Sequence, residues 1–251
     1  MMKYKILILL LLIFNLSFAQ NDLDKTEIEN IQKLINLFKT KNVDGISKII
    51  TYPLNREYPI PSVKNEVDLK KRFNQIFDKK IIGIISNSKI DQWSEVGWRG
   101  IMLDRGDVWI ESDGRIKALN YQSDLEIAQK NRLINHDKNK LHSSLKTFKS
   151  PTYKIQTKSY LIRIDELANG KYRYASWKIG KSEASKPDLI LANGELKFDG
   201  SGGNHTITFT KGEYNYNVYR GIIGERDAAE ISLTVEQNGK IILQQDGQLL
   251  E

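Results

Sequence analysis

Cysteine is missing altogether from the 251 residues, which excludes a disulfide framework, a thiol nucleophile and attachment through a lipidated cysteine. Histidine is scarce: His136, His142 and His205 are the full set, and none lies in the first half of the chain. A G-x-S-x-G nucleophile elbow is absent, and the glycine-rich loop 199–205 lacks the Gly-Lys-Ser/Thr ending of a phosphate loop. Beyond the N-terminal stretch, no apolar run reaches the roughly 20 residues that a membrane-spanning helix needs. An excess of either charge is also absent from the two large parts of the chain. Residues 20–127 carry 17 basic and 17 acidic side chains, and residues 151–251 carry 13 of each. Apart from Lys3 and Lys5, the positive excess sits in 128–150, where Lys130, Arg132, Lys138, Lys140, Lys146 and Lys149 face only Asp137. That is one basic stretch rather than the broad basic face of a nucleic-acid binder, so no nucleic-acid partner is expected.

What is present begins with Lys3 and Lys5, nine apolar residues from Ile6 to Phe14, and then Ser17-Phe18-Ala19. Charged, apolar and small-residue regions in that order form a cleavable secretory signal. Residues 1–19 are expected to be removed between Ala19 and Gln20, leaving an exported protein, periplasmic or secreted, with no transmembrane segment. The richness in Lys, Ile and Asn fits a bacterial source.

From Thr26 the apolar residues Ile28, Ile31, Leu34, Ile35 and Phe38 recur at helical steps, predicting a first helix of about 14 residues. Val43, Ile46, Ile49 and Ile50 repeat the spacing in a shorter helix. Tyr52-Pro53 and Tyr58-Pro59-Ile60-Pro61 then stop any helix, since proline lacks the donor and biases its predecessor to extended geometry. Helix resumes near Glu66, with Val67, Leu69, Phe73, Ile76 and Phe77 as its apolar positions. Past Ile85, turn signals at Asp104-Arg105-Gly106 and Ser112-Asp113-Gly114 divide a Val-, Ile- and Trp-rich stretch into a three-stranded antiparallel meander, 95–103, 107–111 and 115–121.

Residues 124–150 read as a basic helical connector. Ile127, Ile134, Leu141 and Phe148 fall seven apart with Leu145 beside them, a narrow stripe suited to packing on a neighbour with its lysines in water. From Pro151 onward, Asn169-Gly170, Asn193-Gly194 and Asn238-Gly239 signal hairpin turns, and Lys211-Gly212 adds a fourth. The alternation of Tyr160, Ile162 and Ile164, of Ile207 and Phe209, and of Tyr214, Tyr216 and Val218 predicts about eight short strands in an all-β barrel or sandwich. The domains expected are thus 20–123, α+β; 124–150, connector; and 151–251, all-β.

Motifs for chemistry are few. Ser143-Ser144-Leu145-Lys146 and Ser86-Asn87-Ser88-Lys89 both match S-x-x-K, a pattern short enough to arise by chance, and no K-T-G follows either. His136, Asp137 and His142 are near in sequence, but two histidines six apart do not share a helical face and no third ligand is evident. Neither a metal nor another cofactor is expected. The loop Asp199-Gly200-Ser201-Gly202-Gly203-Asn204-His205 could turn backbone N–H groups toward an anion or oxygens toward a cation; the plainer reading is a strand connection. Tyr52, Tyr58, Trp93, Trp98 and Trp109, with Arg99 and Glu111, could line an apolar pocket, although large aromatics more often fill a core. Asp107 and Glu111 share a strand face with Trp109 and are the carboxylates available for general-base work, while Val108 and Ile110 offer the opposite, apolar face.

Long helix, short helix after Lys41-Asn42-Val43-Asp44, proline-rich loop, third helix and antiparallel meander together resemble the NTF2-like, cystatin-type cone superfamily across residues 24–121. That resemblance implies a cone serving either as a small enzyme with an internal acid or histidine, or as a ligand-binding or docking module. No histidine lies in this stretch. The β domain distantly resembles the small exported β-barrel inhibitors of lysozyme, which are typically disulfide-bonded, and no inhibitory residue carries over. The fold class expected is α+β followed by an all-β domain. The function expected is non-catalytic binding in the cell envelope, of a small apolar molecule, a glycan or an envelope protein. The rivals are a small enzyme using a carboxylate in the cone, and an inhibitor or immunity-like protein acting on a secreted enzyme.

Overall fold

In a computed structural model, which describes residues 23–224 and 227–250, the chain divides into two units. One holds residues 23–54, 64–73 and 77–121; the other holds 55–63, 74–76 and 122–250. The segment read as a secretory signal lies outside the described residues. Among the described residues no helix is long and apolar enough to cross a membrane.

The helices begin where side chains satisfy free backbone donors. α1 (Lys25–Lys39) opens on a capping box in which Asp24 accepts from the Glu27 amide and Glu27 accepts from the Asp24 amide. Its Ile31, Leu34, Ile35 and Phe38 are buried, as the spacing predicts. α2 (Val43–Lys48) is capped by Asn42 and α3 (Glu66–Ile76) by Asn65. Val67, expected on the apolar face of α3, is exposed. A further helix, α4 (Lys79–Ser86), was not foreseen. The apolar run through Phe77 reads as one helix, but the Asp78 carboxylate accepts from the amides of Lys80 and Ile81 and starts a new one.

The meander has four short antiparallel strands in chain order, β1 (Trp93–Glu95), β2 (Ile101–Leu103), β3 (Val108–Ile110) and β4 (Ile116–Leu119). The single strand expected over 95–103 is broken by a tight turn at Gly97–Arg99. Gly100 has φ +89°, and a Cβ there would lie 2.4 Å from the Ile110 carbonyl oxygen, so the chain bends at a position that takes only glycine.

The second unit is built on a closed antiparallel barrel of eight strands, which resolves the barrel-or-sandwich alternative. They are β5 (Ser150–Thr157), β6 (Tyr160–Glu166), β7 (Tyr172–Lys178), β8 (Leu189–Phe198), β9 (His205–Lys211), β10 (Tyr214–Arg220), β11 (Ile231–Gln237) and β12 (Lys240–Leu249), each beside its chain neighbour and β12 beside β5. Ile155, Ile162, Ile164, Tyr174, Leu191, Ile207, Phe209, Val218, Ile231, Leu233 and Val235 are buried together as the barrel core. Eight strands make an interior just wide enough for such side chains to fill.

Asn169-Gly170, Lys211-Gly212 and Asn238-Gly239 do form turns. Asn193-Gly194 does not. It lies inside β8, where Asn193 at φ +61° makes a bulge opposite β7 and Gly194 lets the Phe209 ring approach. The closing seam is short: β12 meets β5 through three residue pairs, Gly247↔Thr157, Gln248↔Gln156 and Leu249↔Ile155. β6 and β7 share seven.

The basic stretch forms α5 (Asp124–Lys140) and a short turn at Ser143–Leu145, both within the barrel unit. Ile134, Leu141, Leu145 and Phe148 pack with Ala175 and Trp177, whereas Ile127, expected on the same stripe, is exposed. Beside this cluster lies a buried charge network. Asp165 Oδ1 accepts from Arg163 Nε at 2.8 Å, Asp165 Oδ2 accepts from Arg173 Nη2 at 2.5 Å, and Arg163 reaches Asp137 of α5 at 2.5 Å. Arg163 also stands 4.9 Å from the Phe148 ring centroid. Alternation places Arg163 and Asp165 on the outer barrel face, and α5 is pinned to that face by charge as well as by apolar packing.

Candidate functional site

In the barrel unit, the last rung between β12 and β5 is the Leu250 amide on the Lys154 carbonyl at 2.8 Å. β5 runs on toward Ser150 beyond the pairs it shares with β12. A cleft of about 420 Å³ opens there, lined by Asn55, Arg56 and residues 58–62, by Thr152, Tyr153 and Lys154 of β5, and by Arg220, Glu230, Leu249 and Leu250. Residues 55–62 are held by two ion pairs to α5. Arg56 makes a bidentate pair with Glu126, Nε to Oε1 at 2.8 Å and Nη2 to Oε2 at 2.5 Å, both side chains being buried. Glu57 pairs with Lys130.

The cleft is amphipathic. Pro59, Ile60, Pro61, Leu249 and Leu250 give it apolar surface, and Tyr58 and Tyr153 add aromatic faces. Burial pushes the Tyr58 hydroxyl up to about 12, helped by the negative charge of Asp137 and opposed by Arg163. Burial likewise pushes Tyr153 to about 12 against the pull of Arg220. The Tyr153 hydroxyl is 2.6 Å from His205 Nε2, and His205 Nδ1 is 2.7 Å from the Gly203 carbonyl. A carbonyl only accepts, so this geometry assigns the imidazole proton to Nδ1 and makes Nε2 the acceptor of the Tyr153 O–H.

Three cations line the cleft, and two are engaged elsewhere. Arg56 is bound to Glu126, and Lys154 pairs with Glu183. Arg220 is held by one edge: its Nη1 donates to the carbonyls of Gly221 at 2.7 Å and Glu230 at 2.8 Å, and lies 3.3 Å from the Glu230 carboxylate. Among the described residues its Nε and Nη2 have no hydrogen-bond partner.

The residues singled out in the sequence are dispersed. Tyr58 lines the cleft. In the other unit, Trp93 is buried and donates to Ser88 Oγ at 3.1 Å, Trp98 is 71% exposed, Arg99 is exposed, and Trp109 is half-buried over Gly106. Tyr52 donates to the Ser47 carbonyl and is pushed by burial to about 12. Val108 and Ile110 take the core face of β3, leaving half-buried Asp107 and Glu111 on the other side with Glu111 3.5 Å from Lys117. In the glycine loop, Asp199, Gly200 and Ser201 are exposed. Asn204 is used internally, its Oδ1 accepting from the amides of Ile222 and Ile223 at 2.7 and 2.8 Å. His136 is exposed, Asp137 serves Arg163, and His142 accepts from the Ser144 amide. Among the described residues no group of three or more acidic or histidine side chains converges as a metal site would.

Sequence reasoning missed Tyr153 and Arg220. The available signal was parity: Arg220 follows Tyr214, Tyr216 and Val218 at steps of two, which puts a charge on a face otherwise turned to the barrel interior. Compared with known proteins, the chain matches no family model, no curated protein and no solved structure.

Proposed function

We propose that the chain is an exported, non-catalytic binding protein of the cell envelope that holds a small amphipathic molecule in the cleft of its barrel unit. The observation that carries this reading is the cleft itself: a volume within the usual range for small-molecule sites, apolar walls, two tyrosines and an arginine with a free edge. The unoccupied donors and the aromatic surface suit recognition. The cleft lining holds a single carboxylate, Glu230, rather than two placed for acid–base work. The helices followed by an antiparallel meander in the first unit support keeping the NTF2-like resemblance in this proposal.

Titrating the 15N-labelled protein with a set of aromatic and aliphatic fragments, neutral and anionic, tests the reading. Shifts should concentrate on the amides of Tyr58, Tyr153, Arg220 and Leu249. Binding that maps elsewhere, or no binding by any fragment at millimolar concentration, would overturn it. Export has its own test. Mass spectrometry of the secreted fraction should give Gln20 as the first residue, and a retained Met1 there would refute cleavage.

A further inference from the structure

We infer that Arg220 makes the cleft selective for an organic carboxylate carrying an apolar body. This rests on the binding reading above and adds the ligand class. Arg220 is the one lining cation with an unoccupied edge, since Arg56 and Lys154 are committed to Glu126 and Glu183. Its side chain is 16% exposed, and its Nη1 contacts fix the plane of the guanidinium. A fixed plane with Nε and Nη2 on one edge matches the two oxygens of a carboxylate, which a lysine cannot do.

Charge decides between a carboxylate and a doubly charged phosphate. Glu230, the one acidic lining residue, already shares the charge at Nη1, and its side chain is 53% exposed. A single free guanidinium edge can balance one negative charge, and a second would stay uncompensated in a partly dry site. The remaining walls, Tyr58, Ile60, Leu249 and Leu250, ask for hydrocarbon or an aromatic ring. At about 30 Å³ for a water-sized group, the cleft takes a molecule of roughly a dozen non-hydrogen atoms.

The probes are benzoate, 4-phenylbutyrate and octanoate, each beside its neutral amide and with phenyl phosphate as the dianion, titrated into the full mature chain by NMR and calorimetry. Carboxylates should bind at least about tenfold tighter than their amides, the scale of a charge-assisted hydrogen-bonded pair. Arg220→Gln should erase that gap, and Arg220→Lys, which keeps the charge and loses the fork, should restore part of it. If the glutamine variant fails to fold, the lysine variant decides alone, and an unchanged gap there overturns the inference. Equal binding of carboxylates and amides in the cleft overturns the inference while leaving the binding reading intact. Tighter binding of phenyl phosphate overturns the choice of carboxylate. Absence of any binding in the cleft overturns both readings.

Discussion

Asp165 offers one oxygen to Arg163 and the other to Arg173, all three side chains being buried. Burial drives its carboxyl upward while the two guanidiniums pull it down. Asp165→Asn leaves two buried arginines sharing a neutral amide, and should cost about 3–5 kcal/mol, the usual loss when one member of a buried pair is removed. Urea denaturation followed by emission from buried Trp177 checks this; a loss below about 1 kcal/mol would show that water reaches the network. The tyrosines give a pH prediction. Burial raises Tyr58, Tyr153 and Tyr174 from 10.0 to about 12, so folding favours their protonated forms. The stability they contribute is whole below pH 10 and is lost as pH rises from there through about 12, because the unfolded chain gives up these protons first. Phenolate absorbance should show a late group of tyrosines titrating together with unfolding. One ordinary step near pH 10 in a protein that stays folded would contradict the burial of these hydroxyls.

Single glycines govern how the strands run. A Cβ on Gly194 would sit 2.2 Å from the Phe209 ring, inside a filled barrel that has no slack to move it. Gly194→Ala should destabilise by about 1–3 kcal/mol, as overpacking does, and Gly194→Ala with Phe209→Leu should recover part of that in the same denaturation assay. This position also shows where sequence reading ends. Asn-Gly favours positive φ, and Asn193 has it, but whether such a residue makes a turn or a bulge depends on the strand beside it. The patterns of α1 and of β9 and β10 were legible because one face of each meets one core. Ile127 and Val67 kept a helical period and are exposed all the same, since periodicity names a face without saying how far along the helix a neighbour extends. Arg163 and Asp165 looked like the solvent side of β6, and only the packing of 124–148 on that face buried them. The cleft was illegible for a similar reason: 152–154, 220 and 249–250 meet through the closure of the barrel, and the segment at 55–62 is held by its ion pairs to α5.

In the whole molecule, charge balance and the positive stretch take on a concrete form. Lys130 serves Glu57, Lys149 serves Glu166, and Lys138 stands 4.7 Å over the Phe148 ring, so much of the excess in 128–150 fastens the barrel unit internally. The weakest joint is the seam. β12 is exposed along much of its length, with Ile241 and Ile242 59% and 56% exposed, and it meets β5 through three pairs. Local opening follows low burial and few protected hydrogen bonds. Hydrogen exchange should therefore be fastest, among the barrel strands, at Gly247–Leu249 and Ile155–Thr157, and slowest in β6 and β7. Equal protection around the ring would refute a weak seam. The cleft lies at the end of that joint, with Leu249 and Leu250 of one side and Tyr153 and Lys154 of the other among its walls. A molecule seated there works as a clasp: opening the joint dismantles its walls, so binding must draw the joint shut by the free energy of its own retention. Affinity and closure of the ring are then a single equilibrium, and slower exchange at the β5–β12 rungs would register an occupant before its identity is known.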